Sequence, residues 1–110
     1  MNMNQTDVTQ TILVQLKNNV IPAKKGLKSV NGNVAMMCWG VNNLKAEKDA
    51  LSFKVKGYSF KGTVKVKLDA GADLYDIHFY NNRLREVKTI KGVFADMMTE
   101  IIDDFVELGE

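Results

Sequence analysis

Residues 51–68 read Leu-Ser-Phe-Lys-Val-Lys-Gly-Tyr-Ser-Phe-Lys-Gly-Thr-Val-Lys-Val-Lys-Leu. In the first part Leu51, Phe53 and Val55 share one parity, and Ser52, Lys54 and Lys56 share the other. In the second part Val64, Val66 and Leu68 oppose Thr63, Lys65 and Lys67. Strand side chains alternate between faces, so each run predicts a strand with one covered and one wet face. Gly57-Tyr58-Ser59-Phe60 joins the two as a hairpin loop.

The pattern continues on both sides. After the turn Asp69-Ala70-Gly71-Ala72, residues 73–80 set Tyr75, Ile77 and Phe79 against Leu74, Asp76, His78 and Tyr80. Asn81-Asn82 turns the chain, and Arg83 to Thr89 reads as a short basic strand. Upstream, residues 34–41 (Val-Ala-Met-Met-Cys-Trp-Gly-Val) are apolar on both parities, as a doubly covered strand would be. Val34, Met37, Cys38, Val41 and Leu44 also fit a helix. Trp39, Gly40 and Asn42-Asn43 tip the expectation to strand. Lys45 to Asp49 reads as a charged turn. A doubly apolar strand needs a second cover, which a dimer partner or the Met1–Gln5 arm would supply.

Two helices flank the strands. In residues 7–21, Val8, Ile12, Leu13, Leu16 and Val20 line one helical face, with Thr6 as cap, Asp7 at the positive end of the dipole and Pro22 as the stop. Ala23 to Asn33 is a basic connector carrying Lys24, Lys25 and Lys28. In residues 92–108, Val93, Phe94, Met97, Met98, Ile101, Ile102, Phe105 and Leu108 form a broad apolar face, and Gly109 follows as a stop. The expected fold class is α+β: an N-terminal helix, an antiparallel four- to five-stranded meander and a C-terminal helix, packed as a two-layer sandwich. Residues 1–110 form a single domain, divided into 1–33, 34–89 and 92–108.

The chain offers little for catalysis. It has one Cys and one His, so neither an internal disulfide nor a multi-Cys or His–His metal pair is open to it. Cys38 lies in an apolar run, where a thiol is usually inert core, so a dyad with His78 is not expected. Asp69, Asp73 and Asp76 lack the spacing of a calcium loop, and Asp69 and Asp73 bracket a glycine as a turn requires. The glycines form no Walker or dinucleotide pattern. No catalytic residues, metal or cofactor are expected. No secretory segment or run of ~20 apolar residues is visible, and a free Cys suits a reducing compartment, so the expected location is the cytoplasm, away from membrane.

The charges are unevenly spread. The formal net charge is +2, yet residues 1–91 carry 15 basic and 7 acidic groups and residues 92–110 carry 6 acidic and none basic. On the strands, the parity opposite the apolar one collects Lys54, Lys56, Lys65 and Lys67, with Lys61 beside them. His78 and Tyr80 share that face, and Arg83 and Arg85 extend it. Such a face attracts phosphates, and Tyr80 or Tyr58 offers a ring for a base to stack on, so nucleic acid or another polyanion is the first expected partner. A Lys-rich face also serves simply to keep a sheet from aggregating. The second expected partner is a protein, or another copy of the chain. It would meet the acidic stripe Asp96, Glu100, Asp103, Asp104 and Glu107, or the Met/Trp strand around Trp39.

Several segments carry a resemblance. They are Ala-Met-Met-Cys-Trp-Gly-Val-Asn-Asn-Leu at 35–44, Leu-Ser-Phe-Lys from Leu51, Val-Lys-Val-Lys-Leu from Val64, Asp-Leu-Tyr-Asp-Ile-His-Phe from Asp73 and Val-Phe-Ala-Asp-Met-Met-Thr-Glu-Ile-Ile from Val93. From Ala35 onward the chain resembles small phage and prophage-type proteins of unknown function. The resemblance implies an intracellular protein of a phage or mobile element, and the protein-partner expectation then includes an inhibitor or modulator of a host factor. It supplies no catalytic residues.

Overall fold

The computed structural model describes residues 5–21 and 29–109. Along the chain these form α1 (Gln5–Asn18), β1 (Val20–Ile21), β2 (Val30–Asn31), α2 (Gly32–Cys38), β3 (Asn42–Glu47), β4 (Ala50–Lys56), β5 (Lys61–Asp69), β6 (Leu74–Tyr80), β7 (Glu86–Val93), a 3-10 turn (Ala95–Met97) and α3 (Met98–Leu108). The side chains of Thr6 and Asp7, Pro22, the connector lysines Lys24, Lys25 and Lys28, and residues 1–4 of the Met1–Gln5 arm lie outside the described residues.

β3 to β7 form one antiparallel sheet in sequence order, the meander that the alternation implies. β4 pairs with β5 from Ala50↔Lys67 to Lys56↔Lys61, and β5 pairs with β6 from Thr63↔Tyr80 to Asp69↔Leu74. Burial alternates along β5 and β6 and along β4 from Phe53 onward, whereas Ala50 and Ser52, on the lysine parity, are also buried. Leu51, Phe53, Val55, Val64, Val66, Tyr75, Ile77 and Phe79 are buried on one face. All three helices cover that face, contributing Val8, Ile12 and Leu16, then Ala35, Met36 and Trp39, then Met98, Ile102 and Val106. The result is a helix layer on a sheet layer, with the second sheet face left to solvent.

The segment at 34–41 is a helix, not the expected strand. Gly32, Ala35, Met36 and Trp39 are buried at helical spacing, and Asn31 caps the start by accepting the Val34 N–H at 2.9 Å. The residues read as helix breakers mark its end. Trp39 is the C-cap, and Gly40, at φ +64°, donates its N–H to the Met37 carbonyl. The outer helix face carries Val34, Met37 and Cys38, all exposed, which is why the segment looks apolar on both parities. The need for a second cover over a strand disappears, and Cys38 is not the buried core thiol expected.

The first strand of the sheet is instead β3, where a charged turn was expected. Lys45, Ala46 and Glu47 pair with Ser52, Leu51 and Ala50, leaving Lys48-Asp49 as the turn. Asp49 takes φ 56°, a conformation aspartate tolerates better than most residues. At the other end, β7 runs from Glu86 to Val93, so Arg83 and Arg85 lie in the preceding turn. The Asn81 side chain builds that turn by accepting both Arg83 and Arg85 N–H groups. α3 then starts at Met98 rather than at residue 92, because Val93 is paired with Tyr75 and buried. Phe94 and Met97, expected in the core, are exposed. Gly109 stops α3 as expected, in the left-handed conformation.

α1 ends earlier than Pro22 would require, and Asn19 supplies the reason. Its side-chain amide and backbone N–H both donate to the Gln15 carbonyl, closing the helix. Its own carbonyl accepts the Gly32 N–H at 2.7 Å, where α2 begins. Its side-chain oxygen accepts the buried Thr99 N–H at 3.2 Å, in the first turn of α3. Thr99 returns a hydrogen bond from Oγ1 to the Leu16 carbonyl at 2.8 Å. Gly32 permits this closeness, since a Cβ there would lie 1.8 Å from the Leu16 carbonyl oxygen. Val20 and Ile21 leave the helix to pair with Asn31 and Val30, so Val20 points to solvent.

Asn19→Ala should therefore lower stability by about 2–3 kcal/mol, because it strands the buried Thr99 N–H as well as losing two bonds. Urea denaturation should show the midpoint falling with little change in slope, while Asn82→Ala, on an exposed turn, should stay within about 0.5 kcal/mol of the parent.

Candidate functional site

The uncovered face of the sheet is where the predicted basic residues gather. Register places them in rows that cross the strands. One row runs Lys45, Ser52, Lys65, His78, Thr89 from β3 to β7. The next runs Asn42, Lys54, Thr63, Tyr80, Glu86, and Lys56 and Lys61 face each other beyond it. On the other side of the first row lie Glu47, Ala50, Lys67 and Asp76. Strands are about 4.8 Å apart and same-face neighbours along a strand about 6.8 Å, so these lysines make a continuous field.

Lys54, Lys56, Lys61 and Lys67 are exposed, and Lys65 is half-buried. Lys45 joins the predicted set, because residues 45–47, expected in a charged turn, belong to β3. The signal was present: Lys45 and Glu47 alternate with Leu44 and Ala46 up to the two-residue turn. An open depression of ≈ 440 Å³ at this end is lined by Glu47, Lys48, Asp49, Lys65 and Lys67.

Four acids share this face, Glu47, Asp69, Asp76 and Glu86, and each has a partner within the fold. Glu47 pairs with Lys65 at 3.2 Å. The Ser52 hydroxyl hydrogen-bonds its carboxylate and, with help from Lys65, holds it below the ordinary value of 4.5. Asp76 accepts the Gly92 N–H at 3.2 Å. Glu86 accepts the Thr89 hydroxyl at 2.6 Å and meets His78 Nδ1, and these two, the hydroxyl first, hold its carboxyl low. His78 and Tyr80 are half-buried neighbours on β6, with ring centroids 6.3 Å apart and planes 21° from parallel.

Other expected residues are not brought together. Arg83 and Arg85 sit on the exposed turn before β7, off the strand rows. Tyr58 is 90% exposed in the β4–β5 loop, which docks on the end of α3. Cys38 lies in the helix layer and His78 on the far sheet face, so they form no dyad. Asp69 accepts the Ala72 N–H within its turn, and no group of three His, Cys, Asp or Glu among the described residues could hold a metal ion.

The acidic stripe is partly turned inward. Trp39, at 0% exposure, is not a surface residue, and its Nε1–H donates to Asp103 Oδ1 at 2.9 Å. Glu107 Oε2 accepts the Tyr58 N–H at 3.1 Å. Glu100 and Asp104 are half-buried, and only Asp96, on the 3-10 turn, stands exposed among these five. Asp103 and Glu107 thus join α3 to α2 and to the β4–β5 loop.

No protein-family model, curated protein or solved structure matches the chain. Among the described residues no helix is long and apolar enough to cross a membrane.

The Glu47 carboxylate gives a local test of the face. Its folded value is depressed, so its stabilising share is present above the unfolded value and is lost as pH falls through the folded one. A carboxyl NMR titration should find its midpoint below 4.5. Ser52→Ala and Lys65→Met should each raise that midpoint, because each removes a hydrogen bond to the carboxylate.

Proposed function

We propose that this is a non-catalytic binding module that holds nucleic acid or a similar polyanion on the open sheet face. The observation that carries the reading is the gathering of Lys45, Lys54, Lys56, Lys61, Lys65 and Lys67 on one face of three adjacent strands. These six lysines outnumber the acids on the same face, and one of those acids, Glu47, is paired with Lys65. A polyanion approaching β4 and β5 meets ammonium groups and releases condensed counterions, a sequence-independent source of affinity. The helix layer lies behind the sheet, so no helix is offered to a groove and little base specificity is expected. The module would act in the cytoplasm. The other reading, a protein-interaction or host-modulating module using the acidic helix, has less to build on, since Asp103 and Glu107 serve contacts within the fold.

Fluorescence anisotropy with labelled single- and double-stranded DNA at low salt tests the proposal. Binding should appear in the ~1–100 µM range, and log K should fall linearly with log salt. Each lysine removed from the set Lys54, Lys56, Lys65 and Lys67 should reduce the slope by about 0.7–0.9. The fourfold alanine variant should lose most binding. Unchanged affinity and slope in that variant would put the contact elsewhere.

A further inference from the structure

The open face is not uniform, and its asymmetry points to the form of the ligand. We infer that the polyanion is a single-stranded nucleic acid, its bases stacked on Tyr80 and His78 and its phosphates laid over the lysines of β4 and β5. This rests on the proposed sheet-face binding and adds the class of ligand.

Width argues against a duplex groove. Five strands at about 4.8 Å spacing span about 19 Å, against about 12 Å for the major groove. The sheet would meet a duplex only along its phosphates, and the two rings between the lysine rows and β7 would go unused. A single strand can splay its bases onto such rings, as every base has a π-face. Lys65 lies directly across from His78, and Lys54 lies two strands from Tyr80 with only Thr63 between. The two rings are near-parallel, 21° apart with centroids at 6.3 Å, so they present similarly oriented faces from adjacent positions of one strand.

Glu86 gives the pair of rings a direction. It stands opposite Tyr80 on β7 and contacts His78 Nδ1, with Thr89 bonding to its carboxylate. Glu86 with Lys91 leaves the β7 side less positive than the β4–β5 side, where the lysines collect and attract phosphate. The backbone of the strand is thereby biased to one side of the rings and the bases to the other.

The test compares oligothymidylate, oligouridylate, an abasic deoxyribose-phosphate strand of equal length and a blunt duplex, by anisotropy at one low salt concentration. Either single strand should bind about tenfold or more tighter than the abasic strand and the duplex, the effect of one base–aromatic stack. Oligodeoxyuridylate, which shares its base with oligouridylate, separates the sugar from the base: tighter oligouridylate than oligodeoxyuridylate would name RNA and the reverse DNA, and both outcomes support the inference. Tyr80→Ala should weaken the base-bearing strands by about tenfold and leave the abasic strand unchanged, while Tyr80→Phe should keep full affinity. The abasic affinity also checks that the variant is folded. Should Tyr80→Ala not fold, the comparison among the four probes with the parent protein decides the matter alone. Equal binding of all four probes, weakened together by the lysine substitutions, would overturn the inference and leave the polyanion reading intact. No binding to any probe would remove both.

Discussion

Asn19 is the point at which three helices are held on one side of the sheet. Its side chain closes α1 and caps the first turn of α3, and its carbonyl receives the N–H at the start of α2. These are buried polar groups, and a buried N–H without an acceptor costs about 1–3 kcal/mol, so the junction specifies position as well as adding stability. Thr99 and the bare backbone of Gly32 let the helices come close enough to share it. With all three helices fixed on the apolar parity of β4, β5 and β6, nothing in the described fold covers the other parity. The exposed lysine face is a consequence of that arrangement.

The same arrangement explains how an acidic last helix is tolerated. Acids near a helix C-terminus oppose its dipole. Here the β4–β5 loop seats on that end, with Ser59 and Phe60 N–H groups donating to the Val106 carbonyl and Ser59 Oγ donating to the Glu107 carbonyl. Gly57 permits the approach, since a Cβ there would lie 2.1 Å from a Val106 methyl. Asp103 is tied to the Trp39 indole and Glu107 to the Tyr58 N–H. The negative charge of α3 is thus partly used to hold α2 and the hairpin. The positive charge of β4 and β5 lies on the other side of the sheet, where a partner can reach it. The near-neutral net charge of the whole chain conceals this separation.

How much of this was legible in the sequence depended on the kind of signal. Period-two alternation in β4, β5 and β6 gave the sheet, its faces and the lysine set, because parity is fixed by strand geometry. The segment at 34–41 misled because α2 is apolar on both sides, so neither parity nor composition marks the buried face. Its cap, Asn31, and its stop, Gly40, were the better guides. The start of α3 was set too early because Val93 and Phe94 are apolar, yet one is a strand residue and the other is exposed. The Asn19 junction could not be read at all, since its partners Gly32 and Thr99 are brought to it only by tertiary packing. For the site, single residues were visible, but their rows were not. Lys45 and the Lys65–His78 pairing follow from register, which needs the turn lengths that the structure supplies.

The central claim is that the uncovered sheet face, rather than the helix layer, is the working surface. Backbone amide NMR mapping during titration with oligothymidylate tests it most directly. The account predicts saturable shifts at Lys54, Thr63, Lys65, His78 and Tyr80, with the amides of α2 and α3 left nearly unchanged. Shifts centred on Val34, Met37 and Cys38, or on Asp96 and Glu100, with the β4–β6 rows unmoved, would contradict it.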